Sequence, residues 1–249
     1  MPHLYDSDES EVAMDRLEPL DAARVLIERD YPTAAAAFLA GSAATARRTT
    51  TSDLDIVVIT DDEHAPFRST EMELGWIVEW FVHTPESLER YWGRGVERRQ
   101  PTLLRMCAES TILIDIGGMA QEIQARARTL LAAGPSPYAA EAIEDLRYHL
   151  TALADDLETA SDAEASFVAA EMLREMTSLV LAIRGQWTGT GKWAGRQLLA
   201  ADPAWHARIL AAYRTAEMDR APLIDVAHVL LEEAGGSLQA GYRRGGAGR

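Results

Sequence analysis

Residues 53–59 read Asp-Leu-Asp-Ile-Val-Val-Ile, a pair of acidic residues followed by a run of mostly β-branched residues. The apolar run is typical of a strand that is buried in a sheet. Because successive side chains of a strand point to opposite faces, Asp53 and Asp55 share one face and Leu54 lies on the other. Two carboxylates this close repel each other unless a cation lies between them. The segment therefore predicts a sheet domain with an acidic pair where a buried strand begins.

A glycine turn precedes this strand. Gly41 and Ser42 follow the apolar residues 38–40, and this pattern predicts a strand that ends in a turn. Glycine lets the backbone approach a ligand closely, and the Ser42 hydroxyl and neighbouring N–H groups can bind an anion. Mg²⁺ prefers carboxylate oxygens and completes its coordination with water and substrate phosphates. The turn and the acidic pair therefore predict a site for metal and phosphate, whereas the alternative for Asp53 and Asp55 is a solvated strand end.

Two short motifs carry a resemblance to a known family, and they are Gly41-Ser42 and Ser52-Asp53-Leu54-Asp55. Together they resemble the signature of the polymerase-β-like nucleotidyltransferase superfamily. Within it, the sequence is most similar to antibiotic nucleotidyltransferases of the streptomycin/spectinomycin and kanamycin type. Many members carry a second glycine in the intervening loop, where this chain has Ala46.

The resemblance implies a role for each motif residue. Asp53 and Asp55 would bind two Mg²⁺ ions, which stabilise charge on the attacking and leaving oxygens. Gly41, Ser42 and Ser52 would hold the phosphates of ATP or another nucleoside triphosphate. These residues are therefore the predicted catalytic, metal-binding and nucleotide-binding core of the site.

A third carboxylate is predicted in residues 76–82, Trp-Ile-Val-Glu-Trp-Phe-Val. Alternation places Glu79 on the face opposite the two tryptophans, and a carboxylate in such an apolar strand is costly without a partner. If this strand lies beside the Asp53 and Asp55 strand, all three carboxylates can meet at one metal. The resemblance implies the same and makes Glu79 a metal ligand and general base. The alternatives are an exposed edge position or an ion pair to arginine, with Asp115 as the rival third carboxylate.

The remaining pattern predicts a sheet followed by helices. We expect strands at residues 33–39 and 111–116, and helices that begin near residue 20, after Thr84, at Pro101 and at Met119. The apolar spacing of later segments predicts only helices. Residues 134–137, Gly-Pro-Ser-Pro, form the clearest boundary in the sequence. The predicted domains follow: residues 1–13 a disordered lead-in, 14–134 an α/β (α+β) nucleotidyltransferase domain with a short mixed sheet, 135–234 an all-α helical bundle, and 235–249 a flexible tail.

One segment of the helical half suggests a link to the nucleotide. Lys192 stands among glycines in residues 187–193, which we predict to be a loop between two helices. The segment is not a P-loop, because Trp193 replaces the serine or threonine that would bind the metal. The resemblance implies that Lys192 contacts the nucleotide phosphates. The alternative is an ordinary surface loop with one lysine.

Charge restricts the partners. The formal net charge is −15, and a surface this acidic repels nucleic acid and attracts small cations. Cys107 is the only cysteine, so an internal disulfide and a cysteine-ligated zinc site are excluded. No apolar run is long enough to span a membrane and the N-terminal residues are acidic, so we expect a cytoplasmic protein that binds neither nucleic acid nor membrane.

The predicted function is Mg²⁺-dependent transfer of a nucleoside monophosphate, AMP from ATP, to a hydroxyl of a small acceptor, with release of pyrophosphate. The negative charge and the resemblance favour a cationic, aminoglycoside-like antibiotic as the acceptor. Two alternatives stay open. One is a protein nucleotidyltransferase of the AMPylating antitoxin type, although such chains are usually a minimal domain. The other is a non-catalytic nucleotide-binding or interaction module, for which Ala46 is the only hint in the sequence.

Overall fold

A computed structural model describes residues 16–43 and 45–245 of the chain. The described residues form two compact units. The first contains the chain up to Gly93 together with Thr102–Ala132, and the second contains Arg94–Pro101 and the chain from Ala133 onward. The predicted lead-in, residues 1–13, lies outside the described residues.

The first unit is built on a mixed sheet with the strand order β3-β4-β2-β1-β5. β2 and β4 are parallel, whereas the pairs β1–β2, β1–β5 and β3–β4 are antiparallel. The predicted short mixed sheet is thereby confirmed. The strands are β1 (Ala36–Ala40), β2 (Leu54–Ile59), β3 (Phe67–Glu73), β4 (Trp76–His83) and β5 (Thr111–Asp115).

Burial explains the inner strands. All five residues of β1 are buried, although alanine has a low preference for strands, because β1 lies between β2 and β5. One face of the sheet packs on helix α1 (Pro19–Asp30), where Leu26 and Ile27 belong to the same core cluster as Leu54 and Val78. Alternation then places Asp55 and Glu79 on the other face.

β3 was not predicted from the sequence. Five of its seven residues are polar, and most are exposed, so the segment carries little apolar periodicity. It is an edge strand and forms a hairpin with β4 through Leu74 and Gly75, whose φ angles are 50° and 75°. Left-handed backbone at both positions matches a tight hairpin turn. The hairpin aligns Thr70 with Glu79 and so brings β3 beside the predicted site.

The other helices of this part are α2 (Pro85–Glu97), α3 (Thr102–Glu109) and α4 (Met119–Ala133). Their starting points agree with the sequence prediction. Glycine often ends a helix, yet α2 continues through Gly93 and Gly95 to Glu97. A Cβ at Gly95 would lie 3.2 Å from the Gln100 carbonyl oxygen, so this glycine serves the close approach of the following turn and does not end the helix.

The second unit is helical. Its apolar core includes Leu150, Met172, Met176 and Ile209, all fully buried. No helix among residues 16–43 and 45–245 has both the length and the apolar character needed to cross a membrane. The helices are α5 (Ala140–Thr159), α6 (Asp162–Ile183), α7 (Lys192–Ala201), α8 (Pro203–Thr215) and α9 (Ala221–Glu233).

The segment after α9, predicted to be a flexible tail, contacts α5 over its described residues. Arg147 donates to the carbonyl oxygens of Gly235 and Gly236 at 2.6 and 2.8 Å. The Tyr242 hydroxyl donates to Asp145 at 2.7 Å, and its ring stacks on Tyr148 with centroids 3.9 Å apart. Residues 235–245 therefore form part of the second unit.

Candidate metal centre

Three carboxylates from two parallel strands come together on one face of the sheet. Asp53 directly precedes β2, Asp55 is its second residue, and Glu79 is the residue of β4 that pairs with Asp55 in the register. One oxygen from each carboxylate lies within 4.8 Å of the others, and all three residues are partly buried. The proposed pairing of Glu79 with the acidic strand is thus present, and the three groups could hold a divalent metal.

Gly41 makes this cluster sterically possible. It follows β1 with a φ of 75°, a left-handed conformation that favours glycine. A Cβ built at Gly41 would lie 1.9 Å from the Asp55 Oδ2 atom, which is far inside van der Waals contact. The sequence predicted that a ligand approaches the backbone at Gly41, but the neighbour in the structure is the Asp55 carboxylate. Because Gly41 has no side chain, the Asp55 carboxylate can occupy the space beside it.

Burial and mutual repulsion make the charged form of Asp55 unfavourable in this cluster. The pKa of Asp55 is raised to about 7, first by burial, then by the charges of Asp53 and Glu79, and by a side-chain hydrogen bond with Glu79. Arg68 acts in the opposite direction. At pH values near neutrality the Asp55 carboxyl is therefore partly protonated, and a bound cation would displace that proton.

Arg68 is a residue of the site that was not predicted from the sequence. It lies on β3, donates to Glu79 Oε2 at 2.6 Å, and its guanidinium carbon lies 4.7 Å from the centre of the Phe81 ring. The Arg68 side chain is 58% exposed and that of Glu79 is 21% exposed, so the pair lies at the solvent edge of the cluster. The sequence pointed to it only indirectly, because an ion pair between Glu79 and an arginine was one of the alternatives. The strand that carries Arg68, β3, was not predicted.

The two predicted phosphate-binding serines are hydrogen-bonded to each other. Ser42 Oγ and Ser52 Oγ lie 2.8 Å apart, and the Thr49 backbone N–H donates to Ser52 Oγ at 2.9 Å. Ser52 is buried, whereas Ser42 is partly exposed. Ser52 therefore fixes the loop between β1 and β2, and Ser42 is the serine with access to a ligand.

Asp115 is not a member of this cluster, and Lys192 belongs to the second unit. Asp115 ends β5 and its Oδ1 atom accepts from the Ala120 N–H at 2.8 Å, so it caps the first turn of α4. Lys192 is the first residue of α7, not a loop residue as predicted, and it is exposed in the second unit. It is also the only lysine in the sequence.

Comparison with known proteins gives matches among solved structures only. The chain matches no protein-family model and no curated protein sequence. Among solved structures it is similar to a nucleotidyltransferase-like protein from Exiguobacterium sibiricum, with 14% sequence identity and a TM-score of 0.47. The match covers 86% of this chain and 74% of that one. A similarity of this degree shows neither a family nor an activity.

Proposed function

We propose that the protein is a metal-dependent nucleotidyltransferase that moves AMP from ATP to a hydroxyl group of a small acceptor and releases pyrophosphate. The observation that carries this proposal is the convergence of Asp53, Asp55 and Glu79 on one face of the sheet, within 4.8 Å of one another. Beside them, Gly41 and Ser42 form the turn expected to approach the phosphates. The resemblance of Gly41-Ser42 and Ser52-Asp53-Leu54-Asp55 to the nucleotidyltransferase signature supports the same activity.

The three carboxylates fit a divalent cation. Oxygen ligands suit Mg²⁺, and a bound cation would oppose the burial and the charges of Asp53 and Glu79 that raise the pKa of Asp55. Asp53, Asp55 and Glu79 would hold the ion. When bound, Mg²⁺ would neutralise charge on the phosphates and on the oxygens that attack and leave.

Glu79 is proposed to accept the proton of the acceptor hydroxyl. Glu79 has a cationic neighbour, because Arg68 donates to it at 2.6 Å. This ion pair orients one carboxylate oxygen and leaves the other for the metal or the acceptor. A positioned carboxylate of this kind is a general base.

The acceptor is proposed to be a small cationic molecule of the aminoglycoside type. The support is the net charge of −15, which attracts cations over long distances and disfavours nucleic acid. The test is pyrophosphate release from Mg²⁺–ATP in the presence of hydroxylated compounds, cationic and neutral, of matched size. Release that requires both Mg²⁺ and an acceptor supports an enzyme. No release with any compound, despite Mg²⁺-dependent ATP binding, would favour the non-catalytic module.

Replacing Glu79 by Gln should reduce turnover far more than nucleotide affinity. Gln cannot accept the proton, whereas Asp53 and Asp55 still supply two metal ligands. We expect a loss of turnover of about 10²-fold or more, with a small change in the dissociation constant of Mg²⁺–ATP. Asp115→Asn is the matched control, because that side chain caps α4. A larger loss for Asp115→Asn than for Glu79→Gln would refute the role of Glu79.

Lys192 is proposed to bind the terminal phosphates of ATP. Lys192→Ala should weaken ATP binding by about 1.5–3 kcal/mol, one charge-assisted contact, and leave AMP binding nearly unchanged. Lys192→Arg should retain most of the affinity. Because Lys192 is the only lysine, acylation of side-chain amines followed by mass spectrometry reports this position alone. ATP should protect it and AMP should not, and equal effects of both nucleotides would contradict the proposed contact.

A further inference from the structure

Two arginines lie on a single tryptophan ring at the sheet edge where β4 begins. The Arg16 guanidinium carbon is 3.2 Å from the centre of the Trp76 ring, and that of Arg48 is 5.5 Å from it. Both side chains, with Thr49 and Thr50, line one open depression of about 510 Å³. Two cations and two threonines thus face the same space.

The structure holds Arg16 rigidly in this depression. Its Nη2 atom donates to the Ser52 carbonyl oxygen at 3.2 Å, and its stem passes over Gly75, where a Cβ would lie 3.6 Å from the Arg16 Cγ atom. The Trp76 indole N–H donates to the Leu17 carbonyl oxygen at 3.0 Å and fixes the ring beneath it. Arg16 is therefore an arginine in a fixed orientation, unlike a mobile surface side chain.

Among residues 16–43 and 45–245, the positive charge of Arg16 and Arg48 is only partly compensated. Arg48 pairs with Glu18 at 2.5 Å, and this is the only ion pair to either arginine among the described residues. The buried Arg16 Nε atom has no hydrogen-bond partner within that part of the chain. Burial and the neighbouring charge of Arg48 lower the pKa of Arg16. The loop from Gly41 to Ser52 adds Arg47 and no acidic residue, although the whole chain carries −15.

The depression is separate from the carboxylate cluster. Trp76 and Glu79 are three positions apart on β4, and their side chains therefore lie on opposite faces of the sheet. Trp76 belongs to the core cluster that includes α1 residues, whereas Glu79 faces Asp55 on the other side. The two places are linked through β4 and through the loop that ends at Ser52, whose carbonyl oxygen contacts Arg16 and whose hydroxyl contacts Ser42.

We propose that Arg16, Arg48, Thr49 and Thr50 form a binding site for inorganic phosphate, distinct from the metal centre and its nucleotide. A guanidinium in a fixed plane, a second guanidinium and two hydroxyl donors match the acceptor oxygens of a tetrahedral dianion. A phosphate there supplies negative charge to the arginine pair. It also connects Arg16 to the loop that carries Ser42 and Ser52. The inference does not depend on the proposed transferase activity.

The test is a titration of the full-length protein with inorganic phosphate, without divalent metal, followed by the ¹⁵N–¹H signal of the Trp76 indole. We expect a saturable shift for the wild type, and an affinity loss of about tenfold or more in Arg48→Gln and in Arg16→Gln. Arg47→Gln, which removes an exposed neighbouring arginine, is the matched control and should bind as the wild type does. Saturable binding that Arg48→Gln leaves unchanged would overturn the site, even if Arg16→Gln fails to fold.

A second arm separates this site from the metal centre. Asp53→Asn should retain phosphate binding in the absence of metal, because Asp53 belongs to the carboxylate cluster on the opposite face. Wild-type protein saturated with Mg²⁺–ATP should still bind phosphate with unchanged affinity. Competition between the two ligands would overturn the proposal of a separate site and assign the arginines to the nucleotide phosphates. Failure of the transferase assay alone would leave the phosphate result standing.

Discussion

Asp55→Asn is expected to stabilise the metal-free protein at pH 8 while removing both its response to Mg²⁺ and its transferase activity. The variant keeps the shape of the side chain and removes one charge from a cluster in which Asp53 and Glu79 are close neighbours. A residue retained for folding alone would not show this combination. If Asp55→Asn is more stable than the wild type but no longer binds metal, the Asp55 carboxylate lowers the stability of the fold and serves metal binding.

The direction of the expected stability change follows from the pKa of Asp55. Its folded value is about 7 against an ordinary 3.8, so the folded state binds a proton that the unfolded state has lost. The stabilisation from that proton is complete below pH 3.8 and is lost as the pH rises to about 7. Full ionisation therefore costs at most about 4 kcal/mol, a value that relaxation and residual solvent reduce. Asparagine avoids this cost at every pH.

Thermal unfolding at pH 5 and pH 8, each with and without Mg²⁺, measures these effects. Wild type should gain more from Mg²⁺ at pH 8, because at pH 5 protons compete with the metal. Asp55→Asn should raise Tm at pH 8 without metal by roughly 5 °C and show almost no Mg²⁺ gain. Asp115→Asn should not alter the Mg²⁺ response. A wild-type Mg²⁺ response equal at both pH values, or one that survives in Asp55→Asn, would contradict the metal centre.

Gly41→Ala is expected to abolish activity through a single methyl group. The new Cβ would lie 1.9 Å from the Asp55 Oδ2 atom, so the carboxylate has to leave its position among the three ligands. The backbone at Gly41, with φ at 75°, adds a cost of about 1–2 kcal/mol for any residue with a Cβ. A displacement of about 1 Å at a catalytic group costs on the order of 10²-fold in rate, and we expect at least that loss.

Gly93→Ala is the matched control, because Gly93 lies inside α2 and nothing lies within 4 Å of a Cβ built there. That substitution should leave turnover and Mg²⁺ affinity unchanged and should stabilise the helix slightly. Turnover and isothermal titration with Mg²⁺ report both variants. If Gly41→Ala binds Mg²⁺ like the wild type, the Asp55 carboxylate does not need the space beside Gly41, and its place in the metal centre is wrong.

The core of the site could be predicted because it obeys strand alternation. Asp53 and Asp55 precede an apolar run, and Glu79 is the one charged residue in an apolar strand. The alternation of side chains along a strand predicts on which face of its strand each carboxylate lies, and this needs no knowledge of the fold. The pairing of β2 with β4, which brings them together, was a hypothesis that the structure confirms, whereas their parallel direction was not predicted.

The parts that could not be predicted depend on contacts between distant residues. Arg68 reaches Glu79 from β3, whose polar, exposed sequence carries no strand periodicity. The contact between Gly41 and Asp55 depends on the antiparallel register of β1 and β2, which aligns Ala40 with Asp55. Lys192 was placed in a loop because glycines surround it, yet α7 begins at this residue. In each case tertiary packing overrides the local signal.

The register between β2 and β4 limits where the chain can change length over evolution. Residues 60–66 precede the β3–β4 hairpin, so an insertion there leaves the alternation of β4 and the pairing of Arg68 with Glu79 unaltered. An insertion in the turn at Leu74 would shift β3 against β4 and separate Arg68 from Glu79. One extra residue within β4 before Glu79 would turn that carboxylate toward α1 and bring Val78 to the metal side. Between β2 and β4, length variation compatible with the site is therefore confined to residues 60–66.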